Sequence, residues 1–474
     1  MRAKLYNISR IKSKQEDTDM ESQENKELIN KLAEVAKVKS HINADLYTKY
    51  NVKRGLRNND GTGVLVGLTE VGEVMSYIVD DADRIPVEGK LFYQGYEVKD
   101  LVNGFFSQGR FGYEETAFLL LTGELPTESE LKKFNQLLSS VRPLPDGFTE
   151  DMIMKAPSPD IMNKLARSVL ALYSYDDNPD STEITNVVRQ CTELIARFPV
   201  LISYGYMARR HYIEHRDLYI HAPVAEYNTA QNILHMIRPD GKFTELEARI
   251  LDLMLVLHAE HGGGNNSTFV THAVSSTGSD TYAVIASAVG SLKGPQHGGA
   301  SNKAYGMMKD LREHVSDWTD EKAIKQYLAD IINKKAFDHS GLIYGIGHAV
   351  YTLSDPRTVV IRKYAEILAK EKGKMDLYNL YLLVEKLAPE VFHEVKKSDK
   401  LVCANVDFFA GLVYSMLGIP TELYTPLFAC GRIAGWSAHR IEELVSGGRI
   451  MRPAFKCVNK RRPYIPSDKR TDII

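Results

Sequence analysis

His297 stands in Gly294-Pro295-Gln296-His297-Gly298-Gly299, His348 in Gly345-Ile346-Gly347-His348, and Asp407 in Asn405-Val406-Asp407-Phe408. Two imidazoles and a carboxylate are what a reaction needs to remove a proton from a weakly acidic C–H bond and hold the oxyanion that forms. Three arginines keep them company: Arg357 in Asp355-Pro356-Arg357, Arg432 in Cys430-Gly431-Arg432, and Arg452 in Met451-Arg452-Pro453. A guanidinium presents a planar fork of donors to a carboxylate, so three of them suit a small polycarboxylate substrate. The residue types point to an enzyme of carbon chemistry.

Each segment also has a plainer reading. Gln296-His297-Gly298-Gly299 on its own is equally a turn with a capping histidine. If a helix opens near Gly299, its positive end beside the ring favours the neutral, donating imidazole. His348 lies in a glycine-rich turn, where a ligand can approach the backbone closely, but a core histidine fits there too; Asp355-Pro356 is also an ordinary helix start. Apolar neighbours around Asp407 disfavour its charged form and raise its basicity, while an N-cap role is common for Asp. His258 and His261, with Glu260 between, resemble a metal site without an obvious third ligand, and the cysteines at 191, 403, 430 and 457 are remote in sequence. His211-Tyr212-Ile213-Glu214-His215 is a literal His-x-x-Glu-His. On a helix it sets His211 and His215 on one face with Glu214 adjacent, the arrangement of an inverted zinc peptidase. Arg209, Arg210 and Arg216 crowd it with positive charge that disfavours a dication.

The elements that must position these groups are mostly helical. The 474 residues exceed what one core usually organises, so two domains are expected, and 44% hydrophobic content is ample for burial. A net charge of −2 offers no global field for nucleic acid or an anionic membrane. The cysteines form no Cys-x-x-Cys pair, as expected in a reducing cytosol. No uncharged apolar run approaches the roughly twenty residues of a spanning helix, and acidic residues from Glu16 onward argue against a transit peptide.

Leu28, Ile29, Leu32, Val35 and Val38 predict a surface helix after a loose start, and the stretch from Gly61 to Tyr93 predicts the few strands. A glycine stop at Thr122-Gly123, a helix from about Glu128, a largely buried helix over Ile250–Leu257, and amphipathic helices over Glu321–Ile332 and Thr358–Lys372 follow. The glycines at 294–299 and 341–347 are hinge material. The fold class predicted is all-α.

Taken in order, the run from His258 to Ala304, Gly345-Ile-Gly-His-Ala-Val-Tyr with Asp355-Pro-Arg357, Asn405-Val-Asp407, Arg432 and Arg452-Pro453 resembles the citrate synthase family. Gly89 to Tyr96 and Tyr113 to Pro126 are similar to segments nearer its N-terminus, so the likeness spans the chain from about Gly55. It implies a large helical domain, 1–296 and 413–474, with a smaller one, 297–412, inserted. It also implies condensation of acetyl-CoA with oxaloacetate, with Asp407 as base, His297 as donor to the thioester oxygen and His348 as donor to the ketone. Arg357, Arg432, Arg452 and His261 would hold the carboxylates. No metal or cofactor is implied beyond the CoA thioester, and Arg452 would serve the neighbouring site of a cytoplasmic homodimer. Two departures stand out: Thr352 replaces a basic CoA-phosphate partner, for which Lys293 is a candidate substitute, and Ala349 replaces an arginine of many bacterial relatives. A 2-methylcitrate synthase acting on propionyl-CoA would use the same polar residues. A non-catalytic acyl-CoA or carboxylate sensor and a zinc peptidase through His211, Glu214 and His215 are the readings from other classes.

Overall fold

The computed structural model describes residue 23 and residues 25–58, 61–80 and 83–473. As expected, their regular structure is helical apart from one small antiparallel sheet. The chain forms two compact units, one joining residues 1–66 to 453–474 and the other running from Gly67 to Arg452.

In the first unit α1 (residues 25–39) carries exposed Leu28, Ile29 and Leu32 at the spacing noted above, and α2 (Asp45–Lys49) follows. The loose start expected before α1 lies outside the described residues. Lys456 sits 5.6 Å above the Tyr50 ring, a cation–π contact between the two ends of the chain.

The second unit opens on a meander of β1 (Gly72–Asp80), β2 (Asp83–Tyr93) and β3 (Tyr96–Glu97), with Gly72 opposite Tyr93 and Val79 opposite Arg84. Next come α3 (Val98–Ser107), α4 (Tyr113–Thr122), α5 (Glu128–Val141), α6 (Ile161–Leu172), α7 (Ile184–Tyr212), α8 (Thr229–Ile237), α9 (Glu245–His258), α10 (Asn266–Ser275) and α11 (Thr281–Lys293). The series closes with α12 (Ala300–His314), α13 (Glu321–Ile332), α14 (Pro356–Glu371), α15 (Met375–Lys396), α16 (Val406–Met416) and α17 (Tyr424–Val445).

Local chemistry explains the boundaries. Gly123 ends α4 at φ 82°, a left-handed stop, and Thr127 with Glu130 opens α5 by a reciprocal capping box. Asp252, the single charge in the apolar run of α9, accepts from the amides of Gly112 (2.6 Å) and Tyr113 (3.2 Å) and so secures the start of α4 from a distance.

Two features position the site. Every residue of α17 from Tyr424 to Arg440 is buried, and the helix packs on α4, α7, α9, α10 and α11. Its glycines admit the end of α9: a Cβ on Gly431 would lie 2.7 Å from Leu255 O, and one on Gly435 2.3 Å from Ala259 O. The second feature is a group of helices after α11. There α12 packs on α13 and α16, α13 on α15, and α14 on α15 and α16, with links outward from α14 to α9 and from α12 to α17.

Candidate active site

The end of α9 supplies His258 and, just beyond it, Glu260 and His261. Arg432 on α17 donates from Nε to His258 O at 2.6 Å, an approach that Gly431 makes possible. Its Nη1 and Nη2 are buried and have no partner among the described residues, as is true of both ring nitrogens of His258 and of His261 Nε2. Burial lowers the pKa of Arg432 to about 10 and, with the arginines nearby, puts His258 and His261 well below the ordinary histidine value. Buried donors are nearly always paired in folded proteins. A guanidinium fork and neutral imidazoles left unspent in one place are suited to an anionic, oxygen-rich ligand.

The His348 turn is stitched to the segment that leads into α16. Gly345 and Gly347 adopt φ of 81° and 93°, and a Cβ on Gly345 would lie 2.8 Å from Phe408 Cα, so only glycine fits that approach. Gly347 N donates to Cys403 O (2.7 Å) and Asn405 N to Gly345 O (2.8 Å). From the other side, Ser76 Oγ of β1 donates to Val350 O (2.8 Å) and Gly89 N of β2 to Ser354 Oγ (3.2 Å). Within the turn, His348 Nδ1 accepts from the amides of Val350 (3.0 Å) and Tyr351 (3.1 Å), which holds the ring proton of the neutral imidazole on Nε2. The His348 ring stacks on Tyr351 at 4.7 Å and meets His261 edge-on at 5.2 Å.

Asp355 serves three ends at once. It caps α14, grips the buried Arg357 through Nε (3.0 Å) and Nη2 (2.7 Å), and accepts from Val406 N (3.2 Å) at the start of α16. Burial works against the charge of Arg357, but Asp355 outweighs it and keeps the guanidinium protonated. Asp355 was legible in the sequence only as a helix start.

Asp407 occupies the second position of α16. The N-cap is Asn405, whose Oδ1 accepts from Asp407 N at 3.0 Å, so the capping role considered for Asp407 belongs to its neighbour and leaves the Asp407 carboxylate for other work. Burial raises its pKa to about 6 despite a hydrogen bond from Ser301 and the positive charge of Arg357. His297 lies immediately before α12, as expected, and its pKa is lowered to about 4 by burial and then by Arg432, so the ring is neutral. His297 Nε2 is 3.2 Å from Ser267 Oγ, which also accepts from Trp436 Nε1 (3.1 Å) and lies 2.9 Å from Asn265 Oδ1. The single Ser267 proton therefore serves either Asn265 or His297. Charge couples the set: Arg357 and Arg432 act on both His261 and Asp407.

Behind the site runs a buried chain that the sequence did not suggest. Glu443 Oε2 meets His272 Nδ1 at 2.8 Å, His272 Nε2 meets His439 Nδ1 at 3.0 Å, and His439 Nε2 lies 3.1 Å from Glu260 Oε1. Burial opposes a charge on His439, but Glu260 and Glu442 raise its pKa to about 9. His439 therefore faces Glu260 as an imidazolium, and His272 bridges His439 and Glu443 through its two ring nitrogens.

Two proposed residues lie apart from this cluster. Lys293 is at the end of α11 with Nζ 3.4 Å from Asp160 Oδ2. Arg452 is exposed beyond α17, where Met451 N donates to Ser276 Oγ at 3.1 Å. The His211 motif is corrected outright. Helix α7 stops at Tyr212 and His215 has φ of 55°, so His211 and His215 do not share a helical face. Glu214 is taken by Arg209 and by Arg216 (3.5 Å), as the excess of arginine in this segment requires. The functional-looking residues missed in the sequence, Ser267, Ser301, Tyr351 and Trp436, are common types whose place emerges only when distant segments meet. An open groove of about 920 Å³ near Arg110, Glu115 and Lys132 contains none of the cluster.

A helical scaffold thus surrounds a buried acid–base centre lined with cationic and neutral donors. The chain belongs to the citrate synthase family, whose "Citrate synthase, C-terminal domain" matches residues 60–454. It is 33% identical over 427 residues to a citrate synthase of Haloferax volcanii, covering 88% of this chain and 99% of the relative. A 2-methylcitrate synthase of Shewanella oneidensis is 32% identical over 381 residues, covering 80% of this chain and 92% of the relative. Among solved structures, the ternary complex of carboxymethyl coenzyme A and oxaloacetate with citrate synthase of Thermoplasma acidophilum matches with a TM-score of 0.71 at 26% identity, over 88% of this chain and 99% of that one.

Proposed function

We propose that the chain is a citrate synthase, an acyltransferase that condenses acetyl-CoA with oxaloacetate and, with water, releases citrate and CoA. The observation that carries this reading is the group of buried, unspent donors, Arg432 Nη1 and Nη2 with His258 and His261, beside a carboxyl whose pKa is raised to about 6. A dicarboxylate keto acid would satisfy the former. The latter suits a base working near neutrality.

In this mechanism Asp407 takes a proton from the thioester methyl, and the C–H electrons move into the C–C bond as the thioester oxygen gains charge. When the Ser267 hydroxyl donates a hydrogen bond to His297 Nε2, the neutral His297 ring carries its proton on Nδ1 and donates it in a hydrogen bond to that oxygen. The enol carbon attacks the ketone of oxaloacetate, while His348, protonated on Nε2, donates to the ketone oxygen and then protonates the alkoxide, the ring's proton being restored by the one that Asp407 removed from the methyl. Hydrolysis of the citryl thioester completes the reaction. Alignment of the two reactants contributes at best on the order of 7–11 kcal/mol.

Residues 297–412, which hold α12 to α16, would close over the bound keto acid and exclude water from the enol. The enzyme would work as a cytoplasmic homodimer in which Arg452 completes the partner's carboxylate site. No metal or further cofactor takes part, and Lys293 is the proposed replacement CoA-phosphate contact. Thiol release from acetyl-CoA should require oxaloacetate and survive EDTA. Release without a keto acid, or loss in EDTA restored by zinc, overturns the reading. The likeness to a 2-methylcitrate synthase makes propionyl-CoA the necessary comparison, since one methylene is worth only about 1–3 kcal/mol of discrimination. A higher kcat/KM with propionyl-CoA would reassign the chain to that activity.

A further inference from the structure

We propose that Ser301 is a positioning residue for the base: by donating its hydroxyl to Oδ1 of Asp407 it reserves Oδ2 as the oxygen that accepts the substrate proton. This deepens the role proposed for Asp407 and rests on it. Ser301 is only 2% exposed and lies in the first turn of α12, four residues after His297, so one short segment supplies both the oxyanion donor and the partner of the base. Its hydroxyl donates to Asp407 Oδ1.

The contact is built into the packing of two helices. Ser301 and Tyr305 are one turn apart on α12, as are Asp407 and Gly411 on α16. A Cβ on Gly411 would lie 2.8 Å from Tyr305 Cβ and 3.5 Å from Ser301 O, so the glycine allows the close approach that brings the hydroxyl to the carboxylate. Asn405 holds the Asp407 amide, which fixes the backbone end of the same residue. A fixed donor on Oδ1 takes one of that oxygen's lone pairs and lowers its basicity, which leaves Oδ2 the better acceptor for a new proton.

A hydrogen bond to the ionised form also opposes the effect of burial on Asp407. The other groups bearing on this carboxyl are Arg357 and Asp355 of the α14 start, Arg432 of α17, and Tyr414 one face along α16. Ser301 touches the carboxylate itself through a hydrogen bond and carries no charge, so it can be changed without altering the charge of the site.

The test is the pH profile of kcat/KM for acetyl-CoA with saturating oxaloacetate. In Ser301→Ala the acid limb should move up by about one pH unit, the worth of one hydrogen bond to an ionised group. Its kcat at pH 7 should fall about tenfold with the oxaloacetate KM nearly unchanged, as expected when a group acts mainly on the transition state. Ser301→Thr retains the hydroxyl and should restore the wild-type limb. If Ser301→Ala fails to fold, Ser301→Cys, similar in size but a weak donor, should shift the limb in the same direction. An acid limb identical in wild type, Ala and Cys variants, alongside an inactive Asp407→Asn, overturns the role of Ser301 alone. Near-normal turnover of Asp407→Asn would instead remove the base assignment on which it rests.

Discussion

At the scale of single residues, the site keeps charge where chemistry would use it and suppresses charge elsewhere. His258, His261 and His297 are neutral donors or acceptors because burial makes a further positive charge costly, as do Arg357 and Arg432 near the first two and Arg432 near the third. Asp407 has the opposite problem. Its pKa rises from 3.8 to about 6, so the protein is most stable with the carboxyl protonated, and that contribution, complete below about pH 4, is lost as pH rises through about 6. Asp407→Asn resembles the protonated form. It should therefore melt higher than wild type at pH 8, with the difference shrinking toward pH 4, while turnover collapses. The gain is at most about 3 kcal/mol, reduced to the extent that solvent reaches the carboxylate. Equal melting temperatures across that range would mean that the buried charge is not costly.

At the scale of elements, helix ends place nearly every group. His297 precedes α12, Arg357 opens α14, Asp407 opens α16 and His258 closes α9, while Arg432 alone sits within a helix. Helix α17 works as the clasp, because its glycines receive the end of α9 and its His439 faces Glu260, the residue beside His261. The folded-state pKa of His439, about 9 against an ordinary 6.5, means that this contact stabilises the fold fully below pH 6.5 and is lost as pH rises through about 9. Thermal melts of wild type should decline over that window, and His439→Gln should flatten the decline. An unchanged slope in the variant would show that the clasp does not depend on the imidazolium.

At the scale of the whole molecule, the proposed function draws one arginine, Arg452, from a neighbouring chain. Arg452 is exposed in the single chain, as the proposed exchange between subunits requires. Asp407→Ala and Arg452→Ala proteins should each be nearly inactive. In a mixed dimer one site would carry both lesions and the other neither, so after random subunit exchange activity should recover to roughly a quarter of wild type. Mass spectrometry would establish that mixed dimers formed. If they form without recovery, each site is built within one chain.

The helical class, the strands before Tyr93, the Gly123 stop, the helix start near Glu128 and the helix at Glu321–Ile332 were legible in the sequence because they depend on neighbours a few residues away. Those local signals also singled out the His297, His348 and Asp407 segments, since glycine turns and polar residues in apolar company are visible one segment at a time. At His211 the crowding arginines already spoke against a metal site, and the motif straddles a helix end. It could not reach Ser267 beneath His297, Ser301 against Asp407, Asp355 spanning two helix starts, or the chain from Glu443 to Glu260. Those contacts join residues at least 30 positions apart, apart from the local grip of Asp355 on Arg357. Local sequence determined which chemistry was at hand; packing of distant helices decided which proton sits on which nitrogen, because only burial and a fixed partner can select a tautomer or move a pKa.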